Sequence, residues 1–216
     1  MVVGDSEFRD NSGVSIRGKL ISEISPTDIL NLIRERTTED GFIDFKAELL
    51  DPRKPRGELN KDEGDWVADL VSFANAQGGH IIVGIEADDQ ERASGLRPMT
   101  GDHAKKLADA LRDLAIAHVK PNIVQLEIRS VEITSAEWIV AAGVPDSERK
   151  PHMSSYNQGT RFAMRDGARK REMQYDEIRR LYLSGPEQER MAQIFAEVES
   201  INSRLGVLER ELQKRG

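Results

Sequence analysis

Apolar residues recur at helical spacing in four stretches of the chain. The first stretch begins after Ser25, a good N-cap, with Pro26 at the first helical position. Pro121 marks the end of the third stretch, and the Gly185-Pro186 pair marks the end of the fourth. The pattern predicts helices at about 26–38, 65–76, 102–119 and 173–185.

Shorter apolar runs rich in β-branched residues predict strands at about 42–49, 80–85, 122–133, 137–144 and 159–167. Positions 51–64 combine prolines, glycines and many charges, which predicts a mobile loop, and positions 86–95 predict a polar turn. This order of helices and strands is typical of an α+β or α/β domain with a mixed sheet.

The C-terminal segment has a different pattern, in which apolar residues are spaced alternately by three and four positions. This heptad seam consists of Met191, Ile194, Val198, Ile201, Leu205, Leu208 and Leu212. It predicts a coiled coil that joins two chains as a homodimer through residues 190–212, in either parallel or antiparallel orientation. A helix that lies on its own domain is the alternative.

The composition excludes several classes of site. Among the 216 residues there is no cysteine, and the four histidines lack the spacing of a zinc centre. No apolar run approaches the length of a membrane span, and the N-terminal residues do not resemble a signal peptide. We therefore expect a cytoplasmic protein that does not enter a membrane.

The formal net charge is -7, which argues against nonspecific coating of nucleic acid. The segment 149–171 departs from this average, because it has seven basic residues and one acid, a net charge of +6. Such a segment is either a solvated loop or a surface that attracts phosphate groups. Both interpretations remain open from the sequence.

A small polar turn, Asn-Ala-Gln-Gly-Gly at 75–79, separates the second predicted helix from a strand. It matches neither the Walker loop nor the G-x-G-x-x-G pattern, so a structural role is favoured and phosphate binding is the alternative. Asn75 is expected to cap the helix or to bond the turn backbone. The glycines are expected to allow positive φ and close packing.

Acidic residues follow or interrupt two of the predicted strands. Asp44 shares a strand face with Lys46, Glu39 precedes that strand, and Glu86 and Asp88 follow the next one. If the two strands are neighbours, these carboxylates converge at one end of the sheet. Clustered carboxylates repel one another, and Mg²⁺ or Mn²⁺ relieves that repulsion. The pattern is compatible with a phosphodiester-cleaving site.

Four segments together resemble the Schlafen-type AlbA-like domain. They are EDGFIDFK at 39–46, FANAQGGHIIVGIE at 73–86, KPHMSSYNQGTRFAMRDG at 150–167 and MQYDEIRRLY at 173–182. The resemblance covers about residues 25–184. It implies a single α+β, mixed-sheet domain at 25–185, between an N-terminal arm at 1–24 and the coiled-coil helix at 187–216.

The resemblance also implies nucleic-acid binding, with RNA favoured and DNA possible. Animal Schlafens include endoribonucleases that act on transfer and ribosomal RNA, with three carboxylates at the active site. Here Glu39 and Asp44 match the first two, with Asp in place of the usual Glu, and Asp88 or Glu86 is the third. These acids would hold Mg²⁺ or Mn²⁺, and Lys46 would neutralise a phosphate oxygen. The nucleic-acid backbone would be held by Arg161, Arg165, Arg169, Lys170 and Arg171.

Three functions therefore remain open. The chain is a metal-dependent endoribonuclease for structured RNA such as tRNA, a noncatalytic dimeric DNA- or RNA-binding module or regulator, or an adaptor that binds another protein. Nucleotide binding is disfavoured because the chain has no P-loop.

Overall fold

A four-stranded sheet with helices on both faces organises the fold. The computed structural model describes residues 16, 18–51, 53–156 and 159–184. The helices are α1 Pro26–Arg34, α2 Arg56–Asn75, α3 Gly101–His118 and α4 Tyr175–Leu183, and a 3₁₀ turn spans Ile21–Glu23. The strands are β1 Ile43–Lys46, β2 Gly79–Val83, β3 Ile85–Ala87, β4 Ala93–Leu96, β5 Val119–Lys120, β6 Glu127–Glu132, β7 Trp138–Val144, β8 Met153–Ser154, β9 Ala163–Asp166 and β10 Arg169–Glu172.

The main sheet has the strand order β1-β2-β7-β6. β1 and β2 are parallel and are joined through α2, whereas β7 runs antiparallel to both of its neighbours, β2 and β6. The remaining strands form two-stranded pairs, β3 with β4, β5 with β8 and β9 with β10. The expected α+β fold with a mixed sheet is confirmed.

Successive side chains of a strand point to opposite faces of the sheet, so its residues belong to two hydrophobic cores. Ile81 and Val83 of β2 belong to the core that includes the buried faces of α2 and α3. Ile43, Phe45 and Ile82 belong to the other core, with α1 and the segment before it. Side chains of β1 alternate between these cores, so Asp44 and Lys46 lie on the α2 side of the sheet.

The second core draws on the segment that the sequence assigns to an N-terminal arm. Ile16, Ile21 and Ile24 are buried against this core. The folded unit therefore includes at least this part of residues 1–24. The predicted coiled coil at 187–216 lies outside the described residues.

Two local predictions are wrong, and a third is incomplete. Positions 56–64 belong to α2 rather than to a loop, because their charged residues form the exposed first turns of a long helix. Positions 86–95 contain most of the β3–β4 hairpin rather than only a polar turn. The single strand predicted at 159–167 is one half of the β9–β10 hairpin, whose second strand is too charged to show an apolar pattern.

Candidate nucleic-acid interface

A buried ion pair joins β1 to β9. Arg165 Nη2 lies 3.1 Å from Asp44 Oδ1, and the two side chains are 3% and 5% exposed. The Arg165 guanidinium also lies over the Phe73 ring, at 4.2 Å from its centroid. Arg165 therefore neutralises a carboxylate inside the protein rather than presenting its charge on the surface.

The second oxygen of Asp44 faces Lys46. Lys46 Nζ lies 2.7 Å from Asp44 Oδ2 and 3.3 Å from Asp69 Oδ2, so one ammonium bridges two buried carboxylates. Burial by itself lowers the pKa of Lys46, but the carboxylates of Asp69 and Asp44 outweigh it and raise the pKa above its usual value. Lys46 therefore stays protonated.

Asp69 of α2 also holds a second lysine. Lys170 Nζ of β10 lies 2.8 Å from Asp69 Oδ1 and donates to the Asp65 carbonyl oxygen at 3.3 Å. The side chains of Lys46 and Lys170 are 28% and 27% exposed, whereas that of Asp69 is 3% exposed. One buried carboxylate thus positions two ammonium groups that both reach solvent.

Glu39 completes this arrangement from the loop before β1. Its Oε1 accepts a hydrogen bond from the Phe45 backbone N–H at 3.0 Å. Burial and the nearby Asp44 carboxylate raise the pKa of Glu39 to about 7, although Lys46 and Arg165 act in the opposite direction. The charge cluster, as we name this group, comprises Glu39, Asp44, Lys46, Asp69, Arg165 and Lys170.

The cations of the basic segment 149–171 that belong to the β9–β10 hairpin lie on two different faces of it. Lys170 lies opposite Arg165 in the antiparallel register, so both share the face towards α2 and β1. On the other face, Arg171 pairs with Glu177 of α4 at 2.7 Å. Arg169 is exposed, and the side chain of Arg161 is 73% exposed, with Glu172 at 3.9 Å.

The two acids expected as the third metal ligand lie in another environment. Asp88 accepts hydrogen bonds from Arg92 and Arg36, and these arginines lower its pKa below the usual range. Glu86 is exposed on β3 and faces Arg97 at 3.5 Å. Gly84 follows β2 at φ +108°, and the residues after it pair with β4 in a separate two-stranded sheet.

The expected Mg²⁺ or Mn²⁺ site does not fit the described residues. Both oxygens of Asp44 already face cations, Arg165 and Lys46. No group of three or more His, Asp or Glu side chains in the described part of the chain is arranged to hold a metal ion. Lys46 and Arg165 neutralise the Asp44 carboxylate.

The polar turn after α2 has a structural role. Asn75 Nδ2 donates to the carbonyl oxygens of His152 and Ala163, each at 2.8 Å, and its Oδ1 accepts from the His152 N–H at 2.6 Å. Asn75 thus ties α2 to the segments that lead into β8 and β9, and it does not cap the helix. At Gly79, with φ +154°, a Cβ would lie 2.5 Å from the Phe73 ring.

Asp69 is the functional candidate that sequence reasoning missed. In the sequence, Asp69 is the one charged residue within the mostly apolar run 66–74. This part of α2 is largely buried. A buried acid needs a cationic or hydrogen-bonding partner. That requirement could have pointed to Lys46 and to the basic segment.

Comparison with known proteins identifies the class. A profile of the family described as Schlafen, AlbA_2 matches residues 39–174. The chain belongs to this family, as its motifs suggested. No curated protein matches the chain.

Two solved structures are similar to the chain at low identity. One is the DIP2311 protein from Corynebacterium diphtheriae, with 18% identity and a TM-score of 0.48, over 78% of this chain and 29% of that one. The other is the N-terminal domain of a putative ATP-dependent DNA helicase RecG-related protein from Nitrosomonas europaea. It has 17% identity and a TM-score of 0.40, over 66% of this chain and 88% of that domain. The chain thus spans less than a third of the first structure.

No described helix is long and apolar enough to cross a membrane.

Proposed function

We propose that this protein binds nucleic acid through phosphate contacts made by the charge cluster and the β9–β10 hairpin. The observation that carries the proposal is the pair of partly exposed ammonium groups, Lys46 and Lys170, held on opposite oxygens of Asp69. Exposed Arg161 and Arg169 are further cations of the same basic segment, and Arg169 lies on the other face of the hairpin from Lys170. Lysine and arginine contacts to phosphate supply affinity but little sequence information, so we expect weak sequence preference.

RNA is the favoured ligand and DNA the alternative, as the family resemblance implies. A homodimer through residues 190–212 is part of the same proposal, because two copies would present two positive surfaces to one polyanion. A dimeric regulator that binds nucleic acid without cleaving it would have the same positive surface and the same dimer segment. Sedimentation of the full chain and of a chain ending at residue 186 measures whether this segment joins two copies.

Cleavage of RNA is a second candidate, and the state of Glu39 favours it. A carboxyl group with a pKa of about 7 can accept a proton near neutral pH, as general base catalysis requires. Its Oε1 accepts the hydrogen bond from the Phe45 N–H. Lys46, with its exposed fraction, is available to stabilise negative charge on a phosphate.

Binding is tested by fluorescence anisotropy of the full chain with labelled transfer RNA and with a DNA duplex across a salt series. We expect salt-dependent binding, and Lys170→Met should reduce the salt slope by about 1 on every sequence. Lys106→Met, an exposed lysine on α3, is the matched control and should leave the slope unchanged. Absence of binding to both polymers at low salt contradicts the proposal.

Cleavage is tested on the same transfer RNA with Mn²⁺ and with a chelator, using Glu39→Gln and Asp44→Asn as controls. Cleavage that both substitutions abolish supports the endoribonuclease. Cleavage that neither substitution affects assigns the activity to a contaminant. Binding without cleavage supports the noncatalytic module, and no binding favours the adaptor.

A further inference from the structure

Asp69 has an unusual position for a residue in a surface that attracts anions. It is an acid, it is almost fully buried, and it contacts both of the partly exposed lysines of the charge cluster. A simple count of charges makes it unfavourable for phosphate binding, because a carboxylate repels a phosphate. Its geometry indicates a different role.

The two lysines approach Asp69 from separate elements. Lys46 comes from β1 and contacts Oδ2, and Lys170 comes from β10 and contacts Oδ1. Lysine has a long, flexible side chain, and fixing it on a ligand costs conformational entropy. A carboxylate that holds both ammonium groups in advance removes part of this cost from the binding step.

Three cations, Lys46, Arg165 and Lys170, contact the two buried carboxylates Asp44 and Asp69. Asp44 contacts Arg165 and Lys46, whereas Asp69 contacts both Lys46 and Lys170. Each ammonium has three donor hydrogens, and both lysine side chains are partly exposed beside the same carboxylate. Asp65 lies 3.8 Å from Lys170 but is itself half exposed, so it holds that lysine less firmly.

We propose that Lys46 and Lys170 form one binding subsite for a single phosphodiester, and that Asp69 is the positioning residue of this subsite. The inference rests on the proposed nucleic-acid binding and specifies where one phosphate is held. Asp69 makes no contact with the phosphate and acts only by fixing the two ammonium groups.

The test compares two substitutions that remove the same charge from α2, one turn apart. If charge alone matters, Asp69→Asn and Asp65→Asn both tighten binding of labelled transfer RNA by the full chain. If Asp69 positions the lysines, Asp69→Asn weakens binding several-fold, while Asp65→Asn does not weaken it. Circular dichroism melting shows whether each variant is folded.

A double-mutant cycle of Asp69→Asn with Lys170→Met gives the second measurement. Because Asp69 acts through both lysines, we expect Asp69→Asn to weaken binding less in the Lys170→Met chain, where only Lys46 is left to position, than in the wild type. Additive losses, or Asp69→Asn binding that equals or exceeds the wild type, overturn the inference while the proposed function stands. No binding by the wild-type chain removes both.

Asp69→Glu keeps the charge and moves the carboxylate, and it replaces Asp69→Asn if that variant does not fold. We expect Asp69→Glu to weaken binding although the net charge is unchanged. Wild-type affinity in a folded Asp69→Glu chain overturns the inference.

Discussion

Arg165 and Asp44 form an ion pair across 121 positions of the chain, with both side chains almost fully buried. The pair attaches the β9–β10 hairpin to the edge strand β1 of the main sheet. Because Lys170 lies opposite Arg165 in the hairpin, the same attachment brings Lys170 to Asp69. A buried interaction thus determines which cations of the basic segment face the charge cluster.

The first prediction is that Arg165→Met destabilises the fold. The substitution leaves the buried Asp44 with Lys46 as its remaining cation, and breaking a buried pair by removing one partner costs about 3 kcal/mol or more. Urea unfolding of the full chain at one protein concentration measures the loss. Arg161→Met removes the same charge from an exposed side chain and should change the free energy of unfolding by less than about 0.5 kcal/mol.

One outcome contradicts this prediction. If Arg165→Met unfolds at the same urea concentration as the wild type but binds transfer RNA more weakly, Arg165 contacts the ligand rather than stabilising the fold.

The second prediction concerns pH and Glu39. Burial and Asp44 raise its pKa to about 7 from an ordinary value of 4.5, so the folded chain binds more protons at Glu39 than the unfolded chain between these values. The contribution of Glu39 to stability is therefore fully present below about pH 4.5 and is lost as pH rises through about 7. Glu39→Gln, which resembles the protonated acid, should remove this part of the pH dependence.

The measurement is the free energy of unfolding from pH 5 to pH 8 for the wild type and for Glu39→Gln. As pH rises, we expect the free energy of unfolding of the wild type to fall relative to that of Glu39→Gln. A constant difference across this range means that Glu39 titrates at its ordinary pKa and is not influenced by Asp44.

The sequence predicted the elements whose patterns are local. The apolar run of β2 and the helical spacing of α3 identified these elements because each pattern depends on a single periodicity. The pairing of Asp44 with Arg165 depends on a contact between distant segments, which no local pattern contains. The same limit applies to Asp69, since its partners come from β1 and β10.

Glu86 and Asp88 show a further limit. Their place after an apolar strand suggested convergence with Glu39 and Asp44, but this assumed that the strand continues in one direction. Gly84 adopts φ +108°, and the chain enters a new hairpin at this point. Glu86 therefore lies on β3, and Asp88 follows that strand.

The third prediction is that Asn75→Ala destabilises the fold. Asn75 is 2% exposed and makes three hydrogen bonds to backbone groups of His152 and Ala163. The substitution leaves one N–H and two carbonyl groups without this partner, at a total cost of about 3 kcal/mol. Asn60→Ala, earlier in the same helix, is the control and should stay within about 0.5 kcal/mol of the wild type.

Urea unfolding of both asparagine variants measures this effect. A stable Asn75→Ala chain that has lost transfer-RNA binding contradicts the structural role, because it shows that the side chain contacts the ligand.

The last prediction is that nucleic-acid binding does not require a divalent metal at Asp44. Both Asp44 oxygens face cations of the chain itself, and a divalent ion would have to displace Lys46 or Arg165 and face their repulsion. We therefore expect a chelator to leave the affinity for transfer RNA unchanged. Electron paramagnetic resonance of Mn²⁺ should give the same binding curve for the wild type and for Asp44→Asn, which separates this site from any other in the chain. Saturable Mn²⁺ binding that Asp44→Asn abolishes contradicts the prediction. That result would mean that Lys46 leaves Asp44 when metal is present, and it would favour the metal-dependent endoribonuclease.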